Sequence, residues 1–271
     1  MKTAHAVGLL AVAVLALAGC DRAAEKQASQ GRYDPRRAFA PLTLPVAVNS
    51  YRAGDGAPGP DYWQNRADYK IAATLDPVKA TLTGDEVITY TNNSPSALTA
   101  LWVQLDENIY KKDARARTAA GTARRAAPQP GDGFVLDTVE IGEGSQAVKA
   151  ETVISDTRMQ VRLPQALKAK GGQLKLHIAY HYTVPKGSAG RTGHDTAKDG
   201  EIFDLAQWYP RMAVFDDLRG WDTLPYIASE FYLEYGDFDV AMTVPRLSGF
   251  TGQIAQVMPA SGSSTLCCPC T

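Results

Sequence analysis

The chain has 271 residues, a formal net charge of −1 and 45% hydrophobic residues, enough sequence for one large or two small domains with a real core. The balanced charge excludes a general nucleic-acid binder, which carries a clear basic excess. The apolar fraction excludes a wholly disordered chain, and four cysteines are too few for a disulfide scaffold of this size.

Lys2 precedes an apolar run from Ala6 to Ala18 that closes as Leu17-Ala18-Gly19-Cys20. The run is shorter than the roughly 20 apolar residues of a membrane span, and its positive start and small residues before the cut read as a signal peptide over residues 1–19. The Leu-Ala-Gly-Cys ending resembles a bacterial lipoprotein signal, in which the cysteine is lipidated and becomes the new N-terminus. Cys20 is therefore the expected lipid attachment site, and more than one acyl chain on it suffices for stable anchoring. The mature protein is expected to be exported and lipid-anchored to a bacterial membrane, facing the periplasm or the outside, with membrane lipid as a partner through Cys20. Residues 20–61 are polar or rich in Pro, Ala and Gly, without hydrophobic periodicity, and read as a disordered tether. The folded part is expected to begin near Asp61-Tyr62-Trp63.

From there the hydrophobic period is two. Tyr69, Ile71, Ala73 and Leu75 alternate with Lys70 and Thr74; Ile88 and Tyr90 follow the same rule before the turn Asn92-Asn93-Ser94-Pro95. Leu101, Val103 and Leu105, then Phe134 to Ile141, Met159 to Leu163 and Leu174 to Val184, continue it. A last pair runs from Phe231 to Tyr235 and from Phe238 to Val244. Short strands separated by turn residues predict an all-β fold, an antiparallel β-sandwich or saddle, over residues 62–245. Helix is scarce; Pro164 to Lys170 is assigned one or two turns.

His177 and His181 stand four apart, the spacing at which two histidines on a helix share a zinc ion. Here they sit within Leu174, Leu176, Ile178, Tyr180, Tyr182 and Val184, which is strict alternation. On a strand that spacing is about 13 Å, far too long for one ion with bonds of about 2.0–2.1 Å. A solvated strand face is the reading. The basic run Lys111, Lys112, Arg115 and Arg117, with Arg124 and Arg125, reads as a solvated insertion between strands; contact with anionic lipid is the alternative. From Asp195 to Asp239 there are eleven acidic and three basic residues, together with Trp208, Tyr209, Phe215, Trp221 and Tyr226. So aromatic a stretch must pack on its own domain or face a partner. Calcium is the weaker alternative there, since no calcium-loop motif occurs. No nucleophile elbow, phosphate-binding Gly loop or dinucleotide fingerprint is present.

Asp61 to Leu75, Leu82 to Asn92 and Leu98 to Leu105 resemble the opening strands of the aminopeptidase N-like zinc metallopeptidases. Trp208-Tyr-Pro-Arg-Met-Ala-Val-Phe-Asp216-Asp217, Trp221 to Pro225 and Glu230 to Val244 are similar to the end of the same N-terminal domain in a bacterial branch. The resemblance implies a β-saddle domain packed on a thermolysin-like catalytic domain. That domain carries H-E-x-x-H, a distant glutamate ligand and a Gly-x-Met-Glu-Asn segment, none of which occurs in this sequence. Zinc and a peptide substrate are thus implied for the intact family member, with neither a catalytic residue nor a metal ligand in this chain. The saddle domain of the family lends one polar side chain to the substrate-amine pocket, and Gln207, beside Trp208, is the candidate. Residues 246–271 lose all periodicity and end Cys267-Cys268-Pro269-Cys270-Thr271; they are assigned to a frameshifted tail, and the chain to a truncated, inactive peptidase. The rival reading is an autonomous lipoprotein β-sandwich that binds a partner without catalysis.

Overall fold

The computed structural model describes residues 49–117, 131–187, 192–198, 200–224 and 232–244. The signal region with Cys20, most of the tether, Arg124 and Arg125, Tyr226 and the cysteine-bearing tail lie outside the described residues.

Among the described residues, fourteen strands are distributed over two sheets and two small hairpins. β1 (Arg66–Asp76) and β2 (Thr81–Asn92) form a long antiparallel pair, and β2 continues to β8 (Gly172–Thr183). β4 (Val135–Ile141) and β5 (Val148–Lys149) extend the sheet on one side. β14 (Phe238–Thr243) closes it on the other, giving the order β14-β1-β2-β8-β4-β5. β3 (Leu98–Gln104), β6 (Glu151–Ser155), β7 (Arg158–Leu167) and β11 (Arg211–Met212) form the second sheet, in the order β11-β3-β7-β6. β9 (Gly193–Ala197) pairs with β10 (Gly200–Asp204), and β12 (Phe215–Asp216) with β13 (Gly220–Trp221). The all-β expectation thus holds, with one departure from antiparallel order: β14 runs parallel to β1, Tyr69 opposite Phe238.

Strand formation follows from alternation. On β1 the inward residues Ala67, Tyr69, Ile71, Ala73 and Leu75 are buried while Lys70, Ala72 and Thr74 face out. β2 carries Leu82, Ile88 and Tyr90 inward in the same phase, and β8 carries Leu176, Ile178, Tyr180 and Tyr182. Leu101 and Val103 of β3 and Met159 and Val161 of β7 complete one continuous core between the two sheets. A slip of one residue in any of these strands would turn its apolar set toward solvent, so the register is firmly specified.

Two close approaches explain glycines. A Cβ at Gly84 would overlap the tip of the Tyr180 ring, which crosses the neighbouring strand there. At Gly236 it would overlap the backbone carbonyl of Ala67, where the chain draws in to pair with β1.

The one or two helical turns assigned to Pro164–Lys170 are replaced by the end of β7. Leu98 pairs with Leu167 and Ala100 with Arg162, so β7 holds extra residues in a bulge that contains Pro164. A bulge is where a strand tolerates a residue without an N–H, and the bias of the residue before proline against helix favours it. Of the expected strand Phe231–Tyr235, the described residues Tyr232 to Tyr235 contribute an isolated bridge, Tyr235 to Arg66.

The compact unit begins at Asn49, ahead of the expected start near Asp61. Arg52 pairs with Pro58 across a tight turn, places two guanidinium nitrogens on the carboxylate of Asp217 at 2.7–3.0 Å, and stacks over the Tyr62 ring. That bidentate contact, between a half-buried arginine and a buried aspartate, fastens the segment to the acidic stretch.

Candidate functional site

The outer face of the large sheet holds the histidine pair. His177 and His181 both point outward from β8, as alternation requires. His177 Nε2 lies 2.9 Å from Asp85 and Nδ1 3.5 Å from Glu140, so it bridges carboxylates of β2 and β4. His181 Nδ1 meets Asp137 at 2.8 Å. Burial disfavours the imidazolium of His177, but Asp85 and Glu140 outweigh it and raise the pKa. These are ion-pairing positions on a strand face. Zinc does not fit them: the two rings are separated by the pleat and engaged with different carboxylates. Among the described residues no group of three or more His, Cys, Asp or Glu side chains is placed to hold a metal ion.

The inner side carries the unusual chemistry. Glu86 occupies an inward position of β2 between Gly84 and Ile88, is fully buried, and neither carboxyl oxygen has a hydrogen-bond partner among the described residues. Burial, reinforced by Asp85, pushes its pKa well up, because an unpartnered charge is costly there. Asp106, at the start of the 3-10 turn Asp106–Tyr110, accepts two hydrogen bonds from Arg211 at 2.6 and 3.3 Å. Arg211 also donates to the Tyr232 carbonyl at 3.1 Å. Tyr209 adjoins both groups, its hydroxyl raised by burial and by Glu86 and Asp106 while Arg211 works the other way.

Next to Asp106, Glu107 is also buried, with burial pushing its carboxyl well up. Its Oε1 lies 2.9 Å from Thr192 Oγ1. Thr192 in turn touches both backbone polar groups of Ala206, the carbonyl at 2.7 Å and the amide at 3.1 Å. Thr192 and Ala206 flank the β9–β10 hairpin, so this hydroxyl closes the hairpin at its base.

Gln207 follows immediately. It is half-buried and has φ +54°, a left-handed conformation that costs an L-residue roughly 1–2 kcal/mol. Ala80, Asp156 and Lys170 share this left-handed conformation. Trp208 and Tyr209 follow, packed edge to face with centroids 5.3 Å apart. Tyr209 meets Tyr69 at 5.4 Å, and Tyr69 stacks on Phe238 at 4.7 Å.

The acidic, aromatic stretch is therefore packed on its own domain: Trp208, Tyr209, Phe215 and Trp221 all lie against the core. Several of its carboxylates are spent internally. Asp217 holds Arg52, Asp216 accepts the Leu218 and Arg219 amides, and Asp237 pairs with Arg66. In the basic run, Arg115 rests on Asp156. The buried acids Glu86, Asp106 and Glu107 were missed as functional candidates; only Glu86 had a signal, since the phase of Leu82, Ile88 and Tyr90 already points it inward.

No protein-family model matches the chain, and no curated protein is significantly similar to it. Solved structures that are similar include an M1 zinc metallopeptidase from Deinococcus radiodurans, 15% identical over 69% of this chain and 34% of that one, TM-score 0.35. A point mutant of it bound to a Tyr-Ser-Ala substrate is 16% identical over 70% and 34%, TM-score 0.35. A two-domain M1 zinc metallopeptidase mutant bound to L-tryptophan is 15% identical over 70% and 35%, TM-score 0.35. The chain spans about a third of the length of these proteins.

Proposed function

We propose that residues 62–245 are the N-terminal β domain of a membrane-anchored aminopeptidase N-like zinc metallopeptidase, exported and held by lipid on Cys20. The observation that carries this reading is the junction at Tyr69. The segments whose residues resemble that family, Asp61–Leu75, Leu82–Asn92 and Leu98–Leu105 early in the chain and Trp208–Asp217, Trp221–Pro225 and Glu230–Val244 late in it, are distant in sequence, yet Tyr69 of the early group stacks on Phe238 and packs against Tyr209 of the late one. They pack together within one unit. Gln207, next to Trp208 and Tyr209 of that junction, is the residue offered to a peptide's amino group.

Large apolar side chains also reach the surface within residues 218–224 and 232–244. Leu224 is 69% exposed and Tyr235 59%, with Leu218, Tyr232 and Leu233 beside them in the sequence. Such residues suit a surface covered by a second domain. The zinc ion of this family activates water when bound; in this reading its ligands lie outside residues 62–245, and the β domain contributes substrate positioning.

The test is to read the coding sequence downstream of the Val244 codon in every frame. An open frame encoding H-E-x-x-H supports the peptidase reading. Absence of that motif in all frames overturns it in favour of a non-catalytic binding module. On the protein as it stands, peptidase turnover by the purified, zinc-supplemented chain would contradict the assignment of the zinc ligands to residues elsewhere.

A further inference from the structure

β6 is the outermost strand of the small sheet, and among the described residues nothing pairs with its free edge. Natural edge strands are commonly guarded by a lysine, a proline or a bulge. Thr152-Val153-Ile154-Ser155 carries none of these. Its apolar residues are uncovered on both faces. Val153, on the outer face, is 47% exposed; Ile154, which shares the face of Met159, is 48% exposed.

The outer face of β7 shows what this edge lacks. Arg158 and Arg162 stand four apart on that strand and face the same side. β6 answers them differently. Glu151 lies opposite Arg162 and accepts from its Nη1 at 2.6 Å, whereas the residue opposite Arg158 is Ser155. Arg158 is half-buried and donates through Nη1 to the Thr223 carbonyl. Its Nε is buried without an acceptor, and no carboxylate pairs with it among the described residues. One end of the β6–β7 ladder therefore holds an ion pair and the other a cation alone.

A second copy of this chain supplies the missing charge. Two β6 strands joined antiparallel about a two-fold axis pair along their whole length in one register, the one centred on Val153. Val153 then faces Val153, Thr152 faces Ile154, and Glu151 faces Ser155. Opposed residues share a face, so Glu151 of the second copy falls in line with Ser155 and Arg158 of the first. The two backbones are then two strand spacings apart, about 9.4–9.8 Å, with only the small Ser155 side chain between an arginine and a glutamate that reach toward each other. No like charges are opposed. We propose that β6 is a homodimerisation edge: two copies pair their β6 strands antiparallel about Val153, joining the four-stranded small sheets into one continuous sheet in which Glu151 of each copy serves its own Arg162 and the other copy's Arg158. Val153 is covered at the axis, and each Ile154 is covered beside Thr152 of the other copy. A five-residue edge is a small interface, so the dimer is weak and concentration-dependent. The proposal is independent of the peptidase reading.

The test uses the full chain and two readouts. Directly opposed residues of an antiparallel pair have Cα atoms about 4.5–5.5 Å apart, within disulfide reach. Under mild oxidation Val153→Cys is expected to form a 153–153 link, identified by peptide mass spectrometry, at least about tenfold faster than Ile202→Cys forms a 202–202 link. Ile202, on the β9–β10 hairpin, is comparably exposed at 55%. Equal rates overturn the proposal. Sedimentation equilibrium is expected to show wild type passing from monomer to dimer, with association weakened at least about tenfold in Glu151→Arg and in Arg158→Glu, since each variant opposes like charges twice per dimer. An equimolar mixture of the two variants restores both opposite-charge pairs and should recover most of the association. A wild-type chain that stays monomeric up to about 1 mM, or a mixture that associates no better than its separate components, overturns the proposal. Should a charge variant fail to fold, the comparison of Val153→Cys with Ile202→Cys decides alone.

Discussion

The hydroxyl of Tyr69 accepts the backbone amide hydrogen of Met212 at 2.9 Å. β1 of the large sheet thereby holds β11, the edge of the small one, through a hydrogen bond buried between them. Tyr69→Phe leaves that amide without its acceptor inside the core, at a cost of about 1–3 kcal/mol. The expected result is a lower urea midpoint at unchanged m-value. An unchanged midpoint would mean that the amide finds another acceptor.

Arg211 is 8% exposed and Asp106 2%, so their pair is a buried one. Arg211→Met strands the Asp106 carboxylate, and a loss of about 3–5 kcal/mol is expected. The double variant Asp106→Leu with Arg211→Met removes both charges and should recover most of it. Equal instability of single and double variants would show that packing of the arginine stem, rather than charge, is what matters there.

Stability should fall as pH rises above the ordinary carboxylate range. Burial raises the Glu234 carboxyl to about 7, with the Phe215 amide opposing, and raises Glu86 well above the carboxylate range. A carboxyl whose folded pKa is raised stabilises fully below its unfolded pKa of about 4.3 and loses that contribution as pH climbs through the folded value. His177, also raised, acts in the same direction: its contribution is full below about 6.5 and declines above. Urea midpoints should therefore decrease from about pH 4.3 upward, with a shallower decrease up to about pH 7 in Glu234→Gln and above about pH 6.5 in His177→Gln. Slopes identical to wild type in both variants would contradict these assignments.

Gly84 and Tyr180 face each other across β2 and β8. Gly84→Ala drives a methyl into the phenol ring and should cost about 1–3 kcal/mol, part of which Tyr180→Leu should restore in the double variant. Tyr180→Phe alone removes a buried hydroxyl without a partner among the described residues and should leave stability equal or raised. A marked loss on Tyr180→Phe would reveal a hydrogen bond to that hydroxyl, with Glu86 the first candidate.

Alternation made β1, β2, β3, β4, β8 and β14 legible, because each buries one face and exposes the other. It could not reveal that β14 runs parallel to β1: direction is decided by tertiary pairing, and an alternating strand reads the same either way. Pro164 misled for a related reason, since a bulge and a helix start tolerate the same residue. In the candidate site, Gln207 was reached through resemblance alone. Asp106 and Glu107 follow β3 in a polar run, Asp-Glu-Asn, that reads as surface loop; their burial depends on Arg211 and Thr192, more than 80 residues further on.

The parallel contact between β1 and β14 places the first and last of the described strands side by side. On the ribosome, β1 waits with a bare hydrogen-bonding edge and an uncovered Tyr69 until Phe238–Thr243 has emerged, so the large sheet closes only when almost the whole domain has been synthesised. A nascent chain halted earlier would offer that edge to other chains, so this topology favours holding the chain open until Phe238–Thr243 is available to pair.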